Sequence, residues 1–228
     1  MSIQDSWPTI PPVHPAGWPF MAVLFVIALV LGLFYQPLMW LGLILTGLCA
    51  IFFRDPERVP PEGTGLVLAP ADGRLAAIVE ENAPEDLGKP EGTRMTRLSI
   101  VLAPTDVHVN RIPCDAVVES KIYHPGAFIS ATLDKSSHEN ERMTLRLRLT
   151  DGRALGLVQI AGWLARRIVC DVEEGKNVKS GERYGMIRFG SRVDVWLPLG
   201  IAPHVRIGQT MVAGETIMAQ LKESLQKE

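Results

Sequence analysis

The sequence predicts a mainly β domain carried behind an N-terminal hydrophobic helical hairpin. Residues 18–53 contain no Asp, Glu, Lys or Arg, too long an uncharged run for the core helix of a soluble domain of this size. From Leu66 onward, short runs rich in Val, Ile and Leu recur between turn signals, the pattern of consecutive strands. Helix signals are weak outside the apolar run, apart from a short tail at 215–227 that reads as helical.

Residues 1–17 form a tail. The apolar run breaks once, at Tyr35-Gln36-Pro37, which divides it into helices near 18–34 and 38–53. Each half falls slightly short of the roughly 20 residues that span a bilayer. A single kinked span with one end in the interface competes with the hairpin; Gln36-Pro37 is turn chemistry and favours the hairpin. No basic segment precedes the run, so it does not read as a cleaved signal peptide. Arg54 and Arg58 follow it, while residues 1–17 hold no Lys or Arg, which puts the C-terminal domain on the cytoplasmic side. A Pro-rich linker occupies 54–65. The main domain, 66–228, offers strands at 66–68, 74–79, 97–102, 116–123, 143–149, 154–161 and 168–172. Turns at Asp72-Gly73 and Asp151-Gly152 separate them. The run 143–149 alternates apolar and polar residues, as a strand with one wet face does.

The formal net charge of -2 over 228 residues gives no electrostatic footprint for nucleic acid. Cys49, Cys114 and Cys170 lie far apart and form no metal pattern. An odd, sparse count reads as reduced thiols in a cytoplasmic setting.

The form Gly-x-x-apolar-x-x-Gly-Glu occurs twice, at Gly175–Glu182 and at Gly208–Glu215. It resembles the hammerhead turns of biotinyl- and lipoyl-carrier domains, which implies a β-sandwich or barrel-like domain. No Lys is placed as a carrier lysine would be, so the turns read as architecture.

Gly190-Ser191 lies in the run Ile187-Arg188-Phe189-Gly190-Ser191-Arg192-Val193-Asp194. Gly-Ser is a common turn dipeptide. It is also a bond that a protein can cut itself, with the Ser191 hydroxyl attacking the Gly190 carbonyl. Elimination would then leave a pyruvoyl group in place of Ser191. Such a ketone forms a Schiff base with an amine and accepts electrons, as pyridoxal phosphate does elsewhere.

Five further stretches accompany it: Phe52-Phe53-Arg54-Asp55-Pro56, Ala69-Pro70-Ala71-Asp72-Gly73, Asp106-Val107-His108-Val109-Asn110-Arg111-Ile112-Pro113, Asn140-Glu141-Arg142 and Trp196-Leu197-Pro198. Together, in this order and at this length, they resemble the short prokaryotic form of the phosphatidylserine decarboxylase family, a group of pyruvoyl-dependent enzymes. The resemblance covers about 52–220. It implies cleavage between Gly190 and Ser191 into a β chain, 1–190, and an α chain, 191–228, that stay associated. It implies a pyruvoyl cofactor made from Ser191, a phospholipid substrate, a membrane setting and a possible homo-oligomer, with no metal.

The resemblance also implies that Asp72 and His108 act with Ser191. A serine needs a base to become a nucleophile at neutral pH, and a carboxylate can fix the histidine's tautomer. Longer family members carry a second His three positions after the first, where this chain has Arg111. That leaves open how cleavage and decarboxylation divide between Asp72 and His108, and offers Arg111 as a contact for the substrate phosphate. Phe128 is expected to line the pocket and His138 to reach the headgroup; His124 carries less weight. The same motifs suit another serine phospholipid such as archaetidylserine. A non-enzymatic, membrane-tethered β-sandwich adaptor is the alternative from a different class.

Overall fold

A computed structural model describes residues 10–127, 139–162, 167–188 and 191–221. The chain divides into two compact units, 1–57 and 58–228.

The first unit is the helical hairpin, with α1 at Trp18–Gly32 and α2 at Gln36–Phe52. Pro37 stands in the first turn of α2, where its missing N–H costs nothing. The helices run antiparallel and close together. A Cβ built on Gly17 would lie 2.6 Å from Phe53, one on Gly42 2.4 Å from Ala28, and one on Gly32 2.8 Å from Met39. The base of the hairpin is laced by backbone bonds from His14 N–H to the Phe53 carbonyl and from Asp55 N–H to the Pro12 carbonyl, both 2.8 Å. This is the hairpin rather than the single kinked span. At 1.5 Å per residue the helices are about 22 and 26 Å long, against a hydrocarbon core of about 30 Å. Counting the short 3-10 turn before α1, Pro15–Gly32 is long and apolar enough to cross a membrane. Trp18, Trp40 and Leu48 are each more than half exposed.

The second unit is mainly β. Among the described residues its strands are β1 (Leu66–Leu68), β2 (Gly73–Asn82), β3 (Arg94–Leu102), β4 (Val109–Arg111), β5 (Ala116–His124), β6 (Arg142–Arg148), β7 (Ala154–Ile160), β8 (Arg167–Cys170), β9 (Asn177–Val178), β10 (Arg183–Arg188), β11 (Ser191–Pro198), β12 (Thr210–Met211) and β13 (Ile217–Gln220). A curled eight-stranded sheet has the order β12-β2-β3-β11-β7-β6-β5-β9. Two smaller sheets, β4-β10-β8 and β1-β13, complete the unit. All three contribute to one core, through Leu98, Leu145, Leu157 and Val193 from the large sheet, Tyr184 and Ile187 from β10, and Val67 and Met218 from the pair.

The unit is internally duplicated. The turn before β2 repeats before β5: Asp72 Oδ1 accepts from Ala213 N–H at 2.7 Å, and Asp115 Oδ1 accepts from Ser180 N–H at 2.8 Å. Arg111 N–H donates to the Pro70 carbonyl, and Leu68 N–H donates to the Pro113 carbonyl, both at 2.8 Å. The pair Gly208 N–H to Leu75 O and Leu75 N–H to Gln209 O is matched by Gly175 N–H to Val118 O and Val118 N–H to Lys176 O. Gly175, Gly181, Gly208 and Gly214 all take φ between 75° and 87°, which explains the glycines of the near-repeat.

The duplication defines two halves. One half joins β1, β2 and β3 to β13, β12 and β11, and the other is built from β4 to β10. The halves meet where β11 pairs with β7. Two connections carry the chain between them: 103–108, which ends on His108, and 189–190, which leads into Ser191.

The expected strands from 66 to 172 are present with shifted ends. Expectation missed β4 and the strands of the C-terminal quarter, and one expectation fails outright. The tail read as helical at 215–227 contains β13 at Ile217–Gln220, while 222–228 lie outside the described residues. Its Glu, Met, Ala and Gln are good helix formers, but β1 offers a strand edge, and pairing there buries Met218 and Ala219 completely. Tertiary burial overrides local propensity. The cysteines are free thiols.

Gly73 has φ +146°, and a Cβ there would lie 2.3 Å from the Val101 carbonyl oxygen; Gly152 has φ +82° and faces open space. Gly152→Ala should cost about 1 kcal/mol from the backbone alone, and Gly73→Ala about 3 kcal/mol because overpacking adds to it. Thermal unfolding of the two variants checks this; equal losses would contradict it.

Candidate active site

Ser191 opens β11 and pairs with Leu102, the last residue of β3. Along β11, Val193, Val195 and Leu197 enter the core, so alternation turns Ser191 inward as well. It is 1% exposed, and its Oγ has no hydrogen-bond partner among the described residues. A buried, unsatisfied hydroxyl costs on the order of 1–3 kcal/mol, so the position calls for an explanation.

The opposite face of β11 fixes this orientation. Arg192 and Asp194 face each other there, with Nε–Oδ1 and Nη2–Oδ2 both at 3.0 Å. Arg97 of β3 reaches Ser99 Oγ at 2.6 Å, approaches Asp194 at 3.8 Å, pairs with Glu81 and lies over the Trp196 ring. Burial pushes the Asp194 carboxyl above its ordinary range against the pull of Arg192, Ser99 and Arg97. A one-residue slip of β11 would drive these charges into the apolar core and turn Ser191 out, so the cluster pins the register.

His108 is fully buried immediately before β4, and its backbone carbonyl accepts from Ile187 N–H at 3.3 Å. It therefore stands beside β10 near the end of that strand. His108 Nδ1 lies 2.9 Å from the Asp106 carbonyl. A carbonyl only accepts, so Nδ1 is the donor in this contact.

Asp72 occupies the turn between β1 and β2. Its Oδ2 accepts from Arg58 Nη2 at 2.9 Å, and both side chains are about 15% exposed. Arg74 and Arg192 both pair with Val101. The Asp72 turn and Ser191 thus flank β3 at one end of the sheet, two strand spacings or about 10 Å apart. Arg111 is 5% exposed and donates from Nη1 to the Gly181 carbonyl at 2.8 Å, tying β4 to one of the repeated turns. His124 lies 2.9 Å from Asp86. Gly190, Phe128 and His138 lie outside the described residues.

Two residues of the interior escaped the sequence reading. Gln159 of β7 faces Val193 on β11, a diagonal neighbour of Ser191 on the inner face. Its Nε2 donates to Asn110 Oδ1 at 2.8 Å, and Asn110 and Gln159 are at most 1% exposed. Gln159 is the one polar side chain in β7, and Asn110 stands two positions after His108; each was a visible anomaly. Asn140 Nδ2 donates to the Ala161 carbonyl at 2.7 Å, and Glu141 Oε1 accepts from Ile168 N–H at 3.3 Å. The Asn140-Glu141 pair thus anchors the end of β7 and the start of β8. Among the described residues no group of His, Cys, Asp or Glu is arranged to hold a metal.

Residues 45–219 match the family described as phosphatidylserine decarboxylase. A phosphatidylserine decarboxylase proenzyme of Paramagnetospirillum magneticum is 48% identical over 92% of this chain and 87% of its own length. Proteins of that name from Cereibacter sphaeroides and Ruegeria pomeroyi are 49% and 45% identical, over 93% and 97% of this chain and 91% and 100% of theirs.

The duplication supplies an internal control. Asp72 and Asp115 hold equivalent turns, but Asp72 meets the mostly buried Arg58 whereas Asp115 meets Lys179, which is 79% exposed. Asp72→Asn should lower stability by about 1–2 kcal/mol and Asp115→Asn by at most about 0.5 kcal/mol. Denaturant unfolding measures both; the reverse order would contradict the assignment.

Proposed function

The chain belongs to the phosphatidylserine decarboxylase family, and from that premise we propose that it is a self-processing enzyme that converts phosphatidylserine to phosphatidylethanolamine and CO₂. As an enzyme of this family it is no passive adaptor. The observation that carries the self-processing is the buried Ser191 hydroxyl at the head of β11, which has no hydrogen-bond partner among the described residues.

In the first step Ser191 Oγ bonds to the Gly190 carbonyl carbon and the peptide C–N bond breaks. The hydroxyl proton passes through His108 Nε2 to the departing amine. Loss of the Ser191 Cα proton then expels the Gly190 carboxylate. Isomerisation of the resulting double bond and uptake of one water release ammonia and leave a pyruvoyl group at position 191. Burial of Ser191 Oγ and His108 keeps bulk water from competing for these protons. Asp72, held by Arg58 and the Ala213 N–H, supplies fixed negative charge at the same end of the sheet.

A bound pyruvoyl group supplies a carbonyl that takes up the electron pair released with CO₂. The chain's own residues bind the headgroup, exclude water and return a proton to the substrate carbon, the last from His108 Nε2. The small fragment stays in place because β11 pairs with β3 along its whole length and with β7 through Arg192–Trp196. The apolar hairpin holds the enzyme at the bilayer where the substrate resides, and Arg54 and Arg58 put the β unit on the cytoplasmic side.

Intact mass of the full-length protein, with decarboxylation of phosphatidylserine in mixed micelles, tests this. Wild type should separate into 1–190 and a pyruvoyl-blocked 191–228 and be active. Ser191→Ala should remain whole and inactive. Asp72→Asn should slow cleavage at least about tenfold, while Asp115→Asn leaves it within about twofold. An uncut wild-type chain that decarboxylates would overturn the proposal.

A further inference from the structure

The interior holds a polar pair that the self-processing chemistry does not use. Asn110 and Gln159 are joined by the bond from Gln159 Nε2 to Asn110 Oδ1, and the same Nε2 lies 3.5 Å from the Val169 carbonyl. Two acceptors around one amide nitrogen fix which end of Gln159 is the NH₂. This leaves Asn110 Nδ2 and Gln159 Oε1, both buried and both without a hydrogen-bond partner among the described residues. Exchanging both amides would still leave one donor and one acceptor.

Position gives the orphan groups a meaning. Gln159 faces Val193, two residues from Ser191 on the same side of β11. Diagonal neighbours on one sheet face are about 7–8 Å apart, within reach of a long side chain. Asn110, in β4, lies two residues after His108 and by alternation faces the same interior. A free donor and a free acceptor, rigidly joined and beside Ser191, match a group that carries a carboxylate and an N–H on one carbon.

We infer that Asn110 and Gln159 form a neutral clamp for the α-amino-acid head of the substrate, with Asn110 Nδ2 donating to the carboxylate and Gln159 Oε1 accepting from the amine N–H. The clamp rests on the proposed decarboxylation and adds the residues that select a serine headgroup. Neutrality suits the reaction. Negative charge leaves the carboxylate on the way to CO₂, so a guanidinium there would stabilise the ground state more than the transition state. A carboxamide orients the carboxylate with less of that penalty.

The test uses full-length Asn110→Ala, Gln159→Ala and the double variant in mixed micelles, after intact mass has established processing. Loss of a hydrogen bond to a charged group should lower kcat/KM for phosphatidylserine by about tenfold to a hundredfold, mainly through KM. Inhibition by phosphatidylethanolamine, which lacks the carboxylate, should stay within about twofold in Asn110→Ala. The double variant should lose little more than either single one, because the pair acts as a unit. If Asn110→Ala fails to process, Gln159→Ala carries the same expectation for KM. Processed variants with unchanged KM, or an Asn110→Ala variant in which KM and the phosphatidylethanolamine inhibition constant rise together, would overturn the clamp alone. An uncut wild-type chain would overturn the self-processing reading beneath it.

Discussion

The pairing of β11 on both sides is the constraint on which the rest of the domain depends. Ser191–Pro198 bonds to β3 across one half and to β7 across the seam between halves. It joins the two halves of the eight-stranded sheet and turns Ser191 toward the interior. The preceding strand, β10, belongs to a different sheet, between β4 and β8. The bond before Ser191 therefore joins two elements that are each held by their own neighbours. A cut there would remove a connection without removing a strand.

Charge is arranged around that strand by face. Outward, Arg192, Asp194 and Arg97 form a buried network that sets the register at an electrostatic cost visible in the raised Asp194 carboxyl. Such networks contribute less to net stability than to specifying one arrangement. Inward, Ser191, His108, Asn110 and Gln159 are polar side chains set among buried Leu, Ile and Val. Ser191 Oγ, Asn110 Nδ2 and Gln159 Oε1 have no hydrogen-bond partner among the described residues, a costly state for buried polar groups, and they gather where the halves meet.

Much of this was legible in the sequence because it rests on local chemistry. The uncharged run with its Gln36-Pro37 break gave the hairpin, and Asp72-Gly73 gave its turn. The near-repeat hinted at the duplication because left-handed backbone demands glycine at 175, 181, 208 and 214. What stayed hidden was long-range. Ile217–Gln220 reads as helix until β1 is beside it. Asn110 and Gln159 are 49 residues apart, and only the fold shows that they bond. Arg111 reads as a ligand for phosphate, yet it is spent at least in part on the Gly181 carbonyl inside the domain. Conversely, the equivalence of Asp72 and Asp115 is a property of hydrogen bonds, and in the chain only the short Pro-x-Asp at 70–72 and 113–115 hints at it.

The most direct test is mass spectrometry of one wild-type preparation under native and denaturing conditions. The folded domain should appear as a single assembly containing both 1–190 and 191–228, and denaturant should separate it into those two pieces. Loss of the small piece under native conditions would contradict the role given to β11, and a single uncut chain under denaturing conditions would contradict the cut at Gly190-Ser191 itself.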